Sequence, residues 1–222
     1  MSAAVVTVGE MTLRGIVRRR LSLVLLLALP LAFYLARHSQ PWQAVRFLGI
    51  GLAWATSTVA LFAAIAARSA EPRLRVGGWS WRDLVAGRVG ALLALGIVLA
   101  APYFVLIAVD RPVGRIAATG LMLLVTAVTG VAVGSALGAF VARELEGALL
   151  LFIVAGMQFV ADPPTLLAHL LPFWSTRELA TYAIEGAAAG SLGDAFAHAA
   201  ATVLICTLAT VTLSARRLRL RR

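Results

Sequence analysis

Few residues in this 222-residue chain have the type and spacing to do chemistry. Thr56, Ser57, Thr58, Thr126, Thr129 and Gln158 sit inside long apolar runs, where they either line a polar path or bond back to their own helix. His38, His169 and His198 are scattered and lack metal-ligand spacing, so they read as interfacial or locally bonded histidines. Cys206 is the single cysteine, which excludes an intrachain disulfide and a cysteine-based zinc site. Gly134-Ser135 together with His198 faintly matches an intramembrane serine protease, but the serine motif is incomplete and the expected depths disagree. All 20 basic residues are arginine. A P-loop needs a lysine on the nucleotide phosphates, so the chain cannot supply a standard ATP site. It also has no lysine for a Schiff base. No catalytic residue and no cofactor or metal of the chain's own is expected.

The elements that hold these residues are set by an extreme composition. Apolar residues make up 61% of the chain, charged residues 14%, and the mean hydropathy is +0.91. Soluble proteins carry ~45–50% apolar residues. A soluble domain of this length could not hide so much apolar surface, so the expected class is an all-α polytopic membrane protein. Six apolar segments are candidate spans: residues 21–36, 47–67, 89–109, 116–142, 147–161 and 199–215. The first is short, contains Pro30 and is flanked by Arg20 and Arg37, which can snorkel. The fifth is also short and runs into Asp162-Pro163-Pro164. Residues 1–36 have the basic stretch and apolar core of a secretory signal, but the first 20 residues are long for its charged region, so the segment reads as a retained span.

Arginine placement gives an orientation. With six spans, 15 arginines fall on the side of both termini: Arg14, Arg18, Arg19, Arg20, Arg68, Arg73, Arg75, Arg82, Arg88, Arg143, Arg216, Arg217, Arg219, Arg221 and Arg222. The other side receives 5: Arg37, Arg46, Arg111, Arg115 and Arg177. The positive-inside rule then places both termini in the cytoplasm and the protein in the cell membrane. The net charge of +10 is absorbed by this rule, without nucleic acid as a partner.

The segments between spans are distinctive. Residues 9–20 read as an interfacial elbow helix, with Glu10, Arg14 and Arg18 on one stripe and Leu13, Ile16 and Val17 opposite. Residues 68–83 form a polar loop read as a short helix opening at Glu71-Pro72, a turn at Gly77-Gly78, and a new helix capped at Ser80-Trp81-Arg82-Asp83. Trp79 and Trp81 are interfacial aromatics or anchors for another protein. Residues 162–194 read as two short helices in or re-entering the outer leaflet, the second opened by the capping box Ser175-Thr176-Arg177-Glu178, stapled by Trp174 and Leu179, and ended at Gly186 or Gly190. Gly130, Gly134 and Gly138 repeat at intervals of four, the small-residue pattern that lets helices approach closely, within the chain or between two copies.

The elbow helix, six spans, the loop with Glu71-Pro72 and Gly77-Gly78-Trp79-Ser80, the short fifth span and the Leu171-Pro172-Phe173-Trp174 stretch resemble, taken together, an ABC type-2 transporter permease, the membrane subunit of an exporter. The likeness covers nearly the whole chain as one permease domain, residues 1–222. It rests on architecture and loose local patterns, and the fused ATPase domain of full-length members is missing. The resemblance implies two facing permease subunits, identical or related, in membrane lipid, each docked on a cytoplasmic ABC ATPase that holds ATP and Mg. It implies that Glu71, Arg73, Leu74, Arg75 and Val76 couple to that ATPase, and that Thr56, Thr58 and Gln158 line the path. The competing expectations are a carrier or channel working without an ATPase, an intramembrane enzyme, and a structural membrane protein.

Overall fold

The computed structural model describes residues 3–111, 113–161, 165–185 and 192–218. Nine helices occur among them, and no strand: α1 Ala3–Val17, α2 Arg20–Ala36, α3 Pro41–Val76, α4 Trp81–Asp110, α5 Ile116–Phe140, α6 Glu144–Val160, α7 Leu166–Leu170, α8 Trp174–Glu185 and α9 Leu192–Leu218. Each of the six apolar segments is a helix. Four of these, α3, α4, α5 and α9, are long and apolar enough to cross a membrane, and α1 with α2 makes a fifth if the pair, bent by 82°, counts as one span. The expectation of six crossings is thus met only in part. At ~1.5 Å per residue, the 17-residue α2 and α6 each reach about 25 Å, short of ~30 Å of hydrocarbon.

The centre of the bundle is the α3–α5 pair, and α5 also packs against α4, α8 and α9. Glycine makes this contact. A Cβ on Gly130 would stand 2.8 Å from the Ala53 carbonyl, one on Gly134 would stand 2.8 Å from Ser57 Cα, and one on Gly138 would stand 2.8 Å from the Leu61 carbonyl. All three glycines therefore face α3 within the chain. Ser57 donates to the Gly130 carbonyl at 2.9 Å, adding an interhelical hydrogen bond in a setting without water. Around this seam, Leu48, Leu52, Leu99, Ile107, Met122 and Leu123 form the main buried cluster.

Three local expectations are corrected. First, Glu71-Pro72 does not open a separate helix, because α3 runs unbroken through Pro72 to Val76. Proline there removes only the bond to the Arg68 carbonyl, close to an exposed helix end. The expected glycine turn follows. Gly78 has φ +90°, its N–H donates to the Arg75 carbonyl at 3.1 Å, and the Trp79 N–H donates to the Leu74 carbonyl at 3.1 Å. This is a Schellman motif, and it needs a residue that tolerates positive φ. Ser80 then caps α4 by accepting from the Arg82 N–H at 3.2 Å. Second, the amphipathic helix spans Ala3–Val17, and Val5, Val8, Thr12 and Ile16 turn inward while Val17 is exposed. It lies along α4, where a Cβ on Gly87 would stand 2.6 Å from the Val5 carbonyl. Third, α8 begins at Trp174, so Ser175 is a fully buried residue of its first turn and not a cap. The Leu171-Pro172-Phe173 turn starts the helix, with the Trp174 N–H donating to the Leu171 carbonyl at 3.2 Å. Pro163, Pro164, Gly186, Gly190, Arg219, Arg221 and Arg222 lie outside the described residues.

Candidate functional site

An apolar bundle keeps few polar side chains inside; hydroxyls such as Thr56, Ser57, Thr126 and Thr129 sit along its centre, and its charged networks stand at its two ends. At the arginine-rich end the centre is Glu71, 4% exposed, on the last turns of α3. Arg88 of α4, 2% exposed, donates to Glu71 Oε1, and Arg217 of α9 donates to Oε2. One carboxylate thus joins three helices. Arg68, one turn earlier on α3, donates to the Gly138 and Ala139 carbonyls, each at 2.8 Å, satisfying the open end of α5. Arg75 donates to the Leu218 carbonyl at 3.2 Å and to the Trp79 carbonyl at 2.5 Å, tying the end of α9 to the glycine turn. Trp79 and Trp81 pack with Leu74 on the cluster of Val8, Leu84 and Leu218.

The five residues of the loop singled out in the sequence therefore divide. Glu71 and Arg75 bond inside the chain, and Leu74 is half-buried in the cluster. Arg73 and Val76 stand outside, Val76 at 81% exposure, on the tip formed by α3 and the glycine turn. That tip is rigid at its base and offers an apolar side chain next to a guanidinium.

The candidate path residues divide in the same way. Thr56 is buried against Gly130 and donates back to the Leu52 carbonyl at 2.8 Å. Thr58 is half-buried and donates to the Trp54 carbonyl at 2.8 Å. Gln158 on α6 is 6% exposed, and its Oε1 has no hydrogen-bond partner among the described residues. Beside it runs a feature that residue types alone did not reveal. Phe33 of α2 stacks on Trp54 of α3 with ring centroids 6.0 Å apart and meets Phe159 of α6 edge-on at 5.4 Å. Phe47 meets Phe159 at 5.1 Å, and Trp54 meets Phe152 at 5.6 Å. These rings are half-buried or exposed and make an aromatic wall over α2, α3 and α6. The only sequence signal was aromatic content on three separate helices.

The opposite end has its own polar network. Asp110 at the end of α4 accepts from the Tyr34 hydroxyl and from His38 Nε2 at 3.1 Å, and it forms an ion pair with Arg111, whose Nε lies 3.0 Å away and donates to the Tyr34 hydroxyl. Arg46 of α3 donates to Glu185 of α8 at 3.0 Å and to the Thr181 hydroxyl at 2.5 Å. Arg115 lies over the Tyr182 ring, 4.5 Å from its centroid. Trp174 stands between the rings of His169 and His198, with centroids at 4.5 and 5.2 Å. Glu178, on α8, has its carboxyl pushed above the usual range by burial, against the pull of Arg177 and Arg46. Ser135 lies near the arginine-rich end of α5 and His198 near the opposite end of the bundle, so the two are not brought together. Among the described residues, no group of three or more His, Cys, Asp or Glu side chains could hold a metal ion.

No protein-family model matches the chain, and no curated protein matches it.

Proposed function

We propose that this chain is the membrane permease subunit of an ATP-driven exporter of the ABC type-2 class. The observation that carries the reading is the tip of α3, where a long helix ends in exposed Arg73 and Val76 above a base locked by Glu71, Arg88 and Arg217. A permease without its own ATP site needs a stiff handle of this kind, by which a motor subunit can move the transmembrane helices. In this reading α2 and α6 also cross the membrane, giving six spans, with the arginine-rich end and both termini in the cytoplasm of a cell membrane. α1 lies at the cytoplasmic interface, and α7 and α8 cap the outer side.

Two permeases, identical or related, face each other, and each docks one of two cytoplasmic ATPases that hold ATP and Mg. ATP binds the closed ATPase pair better than the open one, and that difference in affinity shifts the permease between its states. The aromatic wall with Thr58 and Gln158 belongs to the path. Its uncharged, ring-rich surface suits an amphipathic or lipid-like cargo. Thr56, turned onto Gly130, supports the path from behind by fixing α3 on α5. The test is purification from the native membrane. A nucleotide-binding subunit should co-purify with the wild-type chain and be lost with Arg73→Glu plus Val76→Asp. A chain that purifies alone and moves solute unaided in vesicles overturns the proposal.

A further inference from the structure

One cavity lies at the arginine-rich end, away from the aromatic wall. It is an open groove of about 250 Å³ between α1, the start of α2, the second half of α3 and the start of α4. Along α3 it extends from Val59 to Leu74, about 22 Å of helix axis. Its walls are almost wholly apolar: Val8, Met11, Ile16, Leu26, Val59 and Phe62. Its one acid, Glu71, is already held by Arg88 and Arg217, so it sets no negative charge against a ligand. The acid nearest the mouth on α1, Glu10, is paired with Arg14 at 2.5 Å.

The charge at the mouth is of the other sign. α1 and α2 meet at an 82° bend, and the bend carries Arg18, Arg19 and Arg20 in succession. All three are exposed, and none has a side-chain partner among the described residues. Arg19 and Ser22 line the groove itself. An apolar channel of this length, opening beneath three free guanidinium groups, is complementary to one kind of molecule: a hydrocarbon chain with an anionic head.

We propose that the groove binds an anionic phospholipid, with an acyl chain between α1 and α3 and the phosphate on Arg18–Arg20. The bound lipid wedges the elbow against α3 and so sets the angle at which α1 rests on α4. The site does not depend on the exporter reading, since it uses neither the α3 tip nor the aromatic wall.

The test uses the full chain purified in detergent and titrated with phosphatidylglycerol, with phosphatidylcholine or with inorganic phosphate, bound lipid being counted by native mass spectrometry. Phosphatidylglycerol should bind in preference to phosphatidylcholine, and inorganic phosphate at equal concentration should not displace it. Replacing the three arginines by glutamine should weaken phosphatidylglycerol binding roughly 100-fold, at about a factor of five per arginine, and lysine at the same positions should restore most of it. Ala66→Leu, which fills the groove from an exposed position, should reduce the binding of both lipids. Equal binding of the two lipids, or unchanged binding in both the glutamine and the Ala66→Leu variants, overturns the proposal. Displacement by inorganic phosphate would mean that the head alone is recognised, and would overturn the role of the groove.

Discussion

Gly134 rests directly on the backbone of Ser57, with no room for a side chain between them. Its neighbours in the repeat, Gly130 and Gly138, touch α3 in the same way. Gly134→Ala should therefore push α3 and α5 apart and destabilise the protein by about 1–3 kcal/mol. Gly90 is also helical, but a Cβ there meets nothing within 4 Å. Gly90→Ala should leave stability unchanged or raise it by about 0.5–1 kcal/mol. Thermal unfolding of the two variants in detergent makes the comparison, and equal melting temperatures would contradict the packing role.

The ion pairs at Glu71 predict strong coupling between residues far apart in sequence. Glu71→Gln leaves Arg88 buried without its counter-charge and should cost about 3–5 kcal/mol. Replacing both partners, Glu71→Met with Arg88→Met, should cost much less than the sum of the single changes, because the one cation then left unpaired is the partly exposed Arg217 and not the fully buried Arg88. Arg217, being partly exposed, should show the smaller coupling. A double-mutant cycle read by unfolding in detergent measures each term.

The exposed tip separates coupling from folding. Arg73→Ser and Val76→Ser alter side chains that face outward, so stability should stay within about 0.5 kcal/mol. In a reconstituted complex the same changes should reduce transport-linked ATP hydrolysis. Glu71 variants are the wrong probe for this, since loss of the buried pairs would disturb the fold as well. Normal transport in both tip variants would remove the tip from the coupling mechanism.

Glu178 gives a pH prediction. Its folded-state pKa is raised, so the folded protein holds the proton where the unfolded chain has released it. Stability should then fall as pH rises from the ordinary carboxyl range through the raised folded value. Glu178→Gln should flatten that part of the profile, with its largest gain at the alkaline end. Unfolding temperatures of both proteins, followed upward from about pH 4, near the ordinary glutamate value, provide the measurement.

The helical spans were legible because apolar runs in a lipid solvent leave the backbone no choice but to bond internally. Span limits agreed to within a residue where a charge stopped the run, as at Ala36 and at Val109 beside Asp110, and the Gly77-Gly78 turn stands where it was read, although the helix before it runs nine residues past the expected limit at Ala67. They failed where a strong punctuation residue was tolerated. Pro72 looked like a start because proline favours first turns, yet at an exposed helix end its missing bond costs little. Ser175 looked like a cap because its box is complete, yet the Leu171 carbonyl already begins the helix. The role of Glu71 was not legible at all. Its partners stand 17 and 146 positions away, and only the packing of α3, α4 and α9 brings them together. The aromatic wall was hidden for the same reason, since Phe33, Trp54 and Phe159 share no sequence period.

The 36 residues of α3 form one unbroken helix, about 54 Å long. It is bonded near its start through Arg46 to Glu185 and near its end through Glu71 to Arg217. Between Arg46 and Glu71 such a rod has no proline at which to bend. A displacement of Glu71 is carried to Arg46, or else slides the rod along the glycine track of α5, so that the two ends of the bundle are geared to one another by a single piece of backbone.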